Sequence, residues 1–394
     1  MTLRFLTAGE SHGPGLVAIL EGLPAGLKLR PADIDADLER RQHGYGAGPR
    51  MKLEQDRVEL LSGVLEGVTT GAPLALWIAN RDHEHWRGRA VDPFTIPRPG
   101  HADLSGAIKY GYHDLRPALE RASARETAAR VAVGAVCRRL LAEFGIVIGG
   151  YVAAIGGIAA SLSALPLSER ITRAAENEVA CPDPLAAAEI KSAIRQAMLD
   201  KDTLGGIIEV AALNLPPGLG SFVHWDRKLD ARLGAAVLSI PAIKGVAFGP
   251  AFENAAKRGT QTNDPVVLHN GALERPSLLS GGLEAGVTTG QPLLVRAAMK
   301  PIPTTLAPQP SVDLASGEPV ETRYERSDFC PVPRAVVIVE AMLAFVLADA
   351  LLEKLGGDSL DELRPRYSAL RRAHLDDLKL DGAAHTFWPK EEGE

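Results

Sequence analysis

Ser62-Gly-Val-Leu-Glu-Gly-Val-Thr-Thr-Gly71 recurs later in the chain as Ser280-Gly-Gly-Leu-Glu-Ala-Gly-Val-Thr-Thr-Gly290, longer by one residue. Each copy is followed by a proline, Pro73 or Pro292, and then by an apolar run of strand character. Further on, Glu120-Arg121-Ala122-Ser123 opens one long helical segment, and Glu325-Arg326-Ser327-Asp328 precedes another. Two matched pairs, in the same order and roughly 200 residues apart, predict two related halves packed as one pseudo-symmetric domain.

The surrounding sequence fits an α+β body of this kind. Segments 2–8 and 16–21 read as strands around a Gly-rich turn, and 146–160 and 206–214 as further strands. Ala32 to Arg41 reads as a helix, with Pro31 and Asp33 at its start. Segments 126–144 and 334–355 carry apolar residues at helical spacing and stop at Gly145 and Gly356. Residues 162–203 read as a helical insertion. From about Pro365 the chain is charged and weakly periodic, and its last ten residues are expected to be disordered.

Composition bounds the function. Of 394 residues, 46% are hydrophobic and 23% charged, so a large core forms without disulfides or metals. A net charge of −6 argues against nonspecific nucleic-acid binding and requires that any anionic ligand be met by a local cluster of cations. Cys137, Cys181 and Cys330 form no CxxC pair, which points to a reducing compartment and gives no zinc signature. The N-terminal residues lack the apolar run of a signal peptide. The apolar run from Ala335 to Leu352 contains Glu340 and Asp349 and reads as a buried amphipathic helix, not a membrane span. A cytoplasmic protein is expected.

Five segments are dense in chemistry. Gly9-Glu10-Ser11-His12-Gly13 places a hydroxyl and a titratable imidazole at a strand end, although a turn that satisfies only local backbone fits it equally. Arg40 to Arg50 sets three arginines around a loop with three glycines; it is neither a Walker loop nor a dinucleotide fingerprint. Arg98 to Thr127 contains His101 beside Asp103. Arg121, Ser123 and Arg125 sit where a helix N-terminus favours an anion, with Ser123 and Glu126 spaced as a capping box. Lys300-Pro-Ile-Pro-Thr304 is a stiff loop suited to a phosphate, and Asp328 precedes the last long helix. His83-Glu84-His85 lacks a third ligand at a familiar spacing and reads as an exposed loop, so no metal is expected.

Taken together, these segments resemble the chorismate synthases from about residue 3 to residue 356. The motifs are Thr7-Ala-Gly-Glu-Ser-His-Gly13, Arg41-Gln-His-Gly-Tyr-Gly46, Arg98-Pro-Gly-His-Ala-Asp103, Glu120-Arg-Ala-Ser-Ala-Arg-Glu-Thr127, His224-Trp-Asp-Arg-Lys-Leu-Asp230, Lys300-Pro-Ile-Pro-Thr304 and Arg326-Ser-Asp-Phe-Cys-Pro-Val-Pro333.

The resemblance implies a β-α-β sandwich with helices between antiparallel sheets. A catalytic body over 1–360 would be followed by a charged extension, 361–394. It implies the last step of the shikimate pathway: 1,4-elimination of phosphate from 5-enolpyruvylshikimate 3-phosphate to give chorismate. The cofactor would be reduced FMN, with NADPH involved only indirectly, through an external flavin reductase. It also implies a homotetramer with a small-molecule substrate and no nucleic-acid or membrane partner.

The same resemblance assigns roles. His12 would be the acid for the departing phosphate, His101 would protonate or stabilise the reduced flavin, and Asp328 would assist proton removal. Ser11, Arg41, Arg50, Arg125 and Arg326 would contact substrate. Arg121, Ala122, Ser123, Pro241, Ala242, Gly286, Lys300, Pro301, Ile302, Pro303, Thr304 and Arg326 would hold FMN. Ala47 departs from the family pattern, where an arginine is usual, and Ala122 stands where serine is common. Two competing readings keep the arginine cluster but not the flavin. One is a hydrolytic phosphatase and the other a noncatalytic anion-binding protein.

Overall fold

Strict alternation along two neighbouring strands builds the first sheet. Leu16, Ala18 and Leu20 of Gly15–Glu21 face Ile78, Leu76 and Leu74 of Leu74–Ala79 in antiparallel register, and all six are buried. Arg4–Ala8 and Val58–Ser62 flank this pair, giving a four-stranded antiparallel sheet. The second sheet has the order Ile243–Phe248, Leu293–Met299, Gly206–Leu213, Val147–Ile155 and Ile158–Ala159, again antiparallel throughout. The computed structural model describes residues 2–47, 55–322 and 328–388. The fold is α+β.

Two long helices lie between the sheets. Thr127–Ala142 packs on the first, Val332–Leu355 on the second, and the two pack on each other. A β-carbon at Gly134 would fall 2.2 Å from Ala341 Cβ and 2.3 Å from its Cα, so glycine is what allows the helices to approach this closely. Val332–Leu355 is long and apolar enough to cross a membrane by length and composition, yet 89% of that window is buried inside the protein. It is buried nearly all round, not amphipathic as the sequence suggested. Glu340 is fully buried because Arg40 and Arg138 reach its carboxylate and Gly150 N–H donates to it.

The repeated phrase forms the same structure twice. Val64–Leu65 pairs with Val68–Thr69, and Leu283–Glu284 with Val287–Thr288. The turn residues Glu66-Gly67 and Ala285-Gly286 all have positive φ, as a tight two-residue hairpin requires. Thr69 Oγ1 donates to Pro24 O (2.7 Å) and accepts from Leu27 N (3.0 Å). Thr288 Oγ1 repeats this with Pro216 O (2.7 Å) and Leu219 N (2.8 Å). Leu23-Pro-Ala-Gly-Leu27 and Leu215-Pro-Pro-Gly-Leu219 are thus a further matched pair.

Two local expectations need correction. Glu120 to Ser123 does not open the long helix. It closes a separate helix, Arg116–Ala122, and a 3₁₀ turn, Ala124–Glu126, intervenes. The capping box is not formed: Ser123 Oγ accepts from Arg125 N and donates to Ser11 Oγ, while Glu126 pairs with Arg130. Beyond the second long helix, Leu360–Ser368 forms a further helix with Pro365 inside it. That helix crosses residue 360, with Leu360 and Leu363 buried in the core.

Gly134→Ala is expected to destabilise the protein by about 1–3 kcal/mol, because overpacking against backbone outweighs a gain of about 1 kcal/mol in helix propensity. Urea unfolding measures it, and an equal or raised midpoint contradicts the close-approach argument.

Candidate active site

The ends of these elements converge on a cavity of about 390 Å³, within the usual range for small-molecule sites. The loop after Arg4–Ala8 brings Ser11 and His12, and the last turn of Pro31–Gln42 brings Arg41. Arg98 and His101 come from the segment before Asp103–Tyr110, Ser123 and Arg125 from the turn before the first long helix, and Asp328 and Arg334 from the start of the second.

Arg41 and Arg125 are almost fully buried and share one carboxylate. Asp56 Oδ2 accepts from Arg41 Nη1 at 3.2 Å, and Asp56 Oδ1 from Arg125 Nη1 at 2.6 Å. Arg41 also donates to Thr127 Oγ1 and Ala124 O, and Arg125 to Asn80 Oδ1 (2.7 Å). Burial, offset by Asp56 but reinforced by Arg125 and Arg334, lowers the Arg41 guanidinium to about 10, so it stays charged at neutral pH. Asn80 then ties the loop in place, donating to Glu10 O (3.0 Å) and Gly13 O (2.8 Å).

Each cavity histidine is held by a carboxylate through Nδ1. His12 Nδ1 meets Glu120 Oε1 at 2.7 Å, while its backbone N–H donates to Glu120 Oε2 at 2.8 Å. Trp86 stands against the ring, 4.6 Å between centroids. Burial raises the Glu120 carboxyl, but the His12 hydrogen bonds overcome this and leave it below its ordinary value. An ionised Glu120 makes Nδ1 the donor, so a proton passed on by the ring would leave from Nε2. His101 Nδ1 meets Asp103 Oδ1 at 2.6 Å, and Asp103 also accepts from Arg98 N, Nε and Nη2. Burial works against the Asp103 carboxylate, yet Arg98 and His101 hold it well below the usual range.

A larger hollow, about 1270 Å³, lies beside Tyr45, Arg138 and Glu340. Its cations are committed internally, Arg40 to Glu340 and Arg138 to Asp37. It is the smaller cavity that gathers the histidines with Arg41 and Arg125.

The family model for chorismate synthase matches residues 3–352. Relatives named chorismate synthase include that of Trichlorobacter lovleyi, 54% identical over 92% of this chain and 97% of the relative. That of Aquifex aeolicus is 52% identical over 93% of this chain and 96% of the relative. A solved crystal structure titled as a chorismate synthase superposes with a TM-score of 0.78 at 46% identity, covering 93% of this chain and 97% of that one. The chain belongs to the chorismate synthase family. Chorismate synthases are lyases of the shikimate pathway, and they need a flavin.

Seen against the chorismate synthase resemblance, most expected residues meet in the cavity. Ser11, His12, Arg41, His101, Ala122, Ser123, Arg125, Pro241, Ala242, Lys300, Ile302, Pro303, Thr304 and Asp328 all line it. Arg121 does not: its guanidinium donates to Thr7 O, Thr7 Oγ1 and Gly9 O on the strand edge. Pro301 is not among the lining residues. Gly286 sits in the second hairpin turn, against Lys228. Arg50 and Arg326 lie outside the described residues.

The residues present fit a flavin. Ile240, Pro241, Ala242, Met299 and Ile302 give an apolar wall for a ring system, and Lys300, donating to Gly100 O at 2.9 Å, sets a cation beside it. Thr203 Oγ1 braces this loop through Ile302 O. The residues that sequence reasoning missed are Asp56, Asn80, Trp86 and Arg334; Arg98, Asp103 and Glu120 lay in quoted motifs but were given no site role. Cys330 is no nucleophile: burial pushes its thiol up to about 12.

Asp103→Asn would leave the buried Arg98 guanidinium unpaired, with an expected loss of about 3–5 kcal/mol at neutral pH. Because the native carboxyl is depressed, its contribution is full above the ordinary carboxylate value of about 4 and fades as pH falls below it. The gap between wild type and variant in urea should therefore shrink from pH 7 to about pH 3; a constant gap contradicts the ion-pair argument.

Proposed function

We propose that this cavity removes phosphate from 5-enolpyruvylshikimate 3-phosphate in a 1,4-elimination, giving chorismate and inorganic phosphate. The observation that carries the reading is the meeting of two carboxylate-held histidines with buried arginines in one cavity. The substrate has a phosphate and two carboxylates, and an acidic protein must concentrate its cations to hold them.

Arg41 and Arg125 bind these anions from a scaffold already paid for in folding. His12, its Nδ1 proton held by Glu120, donates from Nε2 to the departing phosphate. Asp328 takes part in removal of the ring proton. His101, fixed by Asp103, holds a proton beside the Lys300–Thr304 loop, where the flavin is expected. Reduced FMN, held against Pro241, Ala242 and the Lys300–Thr304 loop, would lend electron density to the substrate without net redox change.

The enzyme is proposed to be cytoplasmic and homotetrameric. Exposed Phe222 and Trp225, 72% and 73% accessible, support association. An external reductase is proposed to supply reduced flavin, with NADPH involved only indirectly. The absence of a dinucleotide fingerprint from the sequence supports this.

An anaerobic assay with chemically reduced FMN tests the reaction. Chorismate is expected only with reduced flavin; phosphate release without chorismate supports the hydrolase instead. His12→Ala should slow turnover by roughly 10²–10⁴, and a loss under about tenfold removes it from the acid role.

A further inference from the structure

Arg334 has no role among the expected site residues, yet it lines the cavity. It occupies the third position of Val332–Leu355, in the helix's first turn, and its side chain is only 9% exposed. Nη1 is engaged by Asp328, 3.0 Å from each carboxylate oxygen. Nε is buried and makes no hydrogen bond. No partner for Nη2 occurs among the described residues.

Leaving a buried charged donor unpaired is costly, and native proteins rarely tolerate it unless a ligand completes it. The unused Nε–Nη2 edge carries two parallel N–H groups, the arrangement that matches the two oxygens of a carboxylate or phosphate. Gly44, in the stretch 44–47, also packs closely against the Arg334 side chain. Gly44 has φ +149°, and a β-carbon there would lie 2.9 Å from Arg334 Cγ. Within this stretch, Ala47 brings no charge.

We propose that Arg334 is a substrate-binding residue, gripping an oxyanion of the substrate through its Nε–Nη2 edge while Nη1 holds Asp328. The inference rests on the functional reading above and adds a residue to it. The oxyanion can belong to substrate or to the flavin phosphate, and separate titrations distinguish them.

Calorimetry on wild type, R334M and R334K, each saturated with oxidised FMN, measures binding of 5-enolpyruvylshikimate 3-phosphate. Flavin fluorescence measures FMN affinity separately, and circular dichroism checks folding. R334M is expected to weaken substrate binding about 10- to 100-fold, as for a lost charged bidentate contact. R334K keeps the charge but not the fork, so it should recover only part. FMN affinity should stay within about threefold, since this edge is not assigned to it. Substrate binding within about threefold of wild type in folded R334M overturns the proposal, as does loss of FMN affinity in place of substrate affinity. Should R334M fail to fold, R334K decides alone, and wild-type substrate affinity in it overturns the proposal. Wild type that binds FMN but no substrate overturns the functional reading itself.

Discussion

One buried carboxylate, that of Asp56, faces Arg41 with one oxygen and Arg125 with the other, and the cavity is organised around that bridge. Two guanidiniums in a low-dielectric interior repel each other and have lost their water. A shared anion makes their burial tolerable without cancelling the local positive charge. Arg41 comes from the end of a helix, Arg125 from a turn before another, and Asp56 from the approach to Val58–Ser62. The bridge therefore fixes three distant parts of the chain. Through Arg125 and Asn80 it reaches the loop that carries Ser11 and His12.

The scaffold explains why these parts arrive together. Two helices pressed together at Gly134 and Ala341 separate two antiparallel sheets; the turn before the first delivers Arg125 to the cavity and the first turn of the second delivers Arg334. The hairpins at Thr69 and Thr288 repeat the same threonine bridge in each half. The halves are not copies in chemistry. Both cavity histidines, His12 and His101, come from the first half, while the second half contributes the Lys300–Thr304 loop, Asp328 and Arg334.

Much of this was legible in the sequence because it is local. The repeat shows because tight turns demand the same few residues, and the helices show because their apolar spacing is regular. His12, His101 and the arginine loop stand out through unusual density of polar groups. What stayed hidden depends on partners far along the chain. Asp56 lies 69 residues from Arg125, and Glu120 lies 108 from His12. No spacing rule links such pairs. The capping box at Ser123 failed for a related reason: Ser11, 112 residues away, meets its hydroxyl. Arg334 was hidden at the start of the long apolar segment, where a lone cation reads as the polar end of a core helix.

The cavity is proposed to be a receptor for a multiply charged anion held beside a flavin. A crystal structure with FMN and 5-enolpyruvylshikimate 3-phosphate tests it most directly. The substrate's phosphate or carboxylate oxygens are expected within about 3 Å of the guanidiniums of Arg41 or Arg125, with His12 reaching the phosphate. Substrate seated instead in the hollow beside Tyr45 and Arg138, away from both histidines, would contradict it.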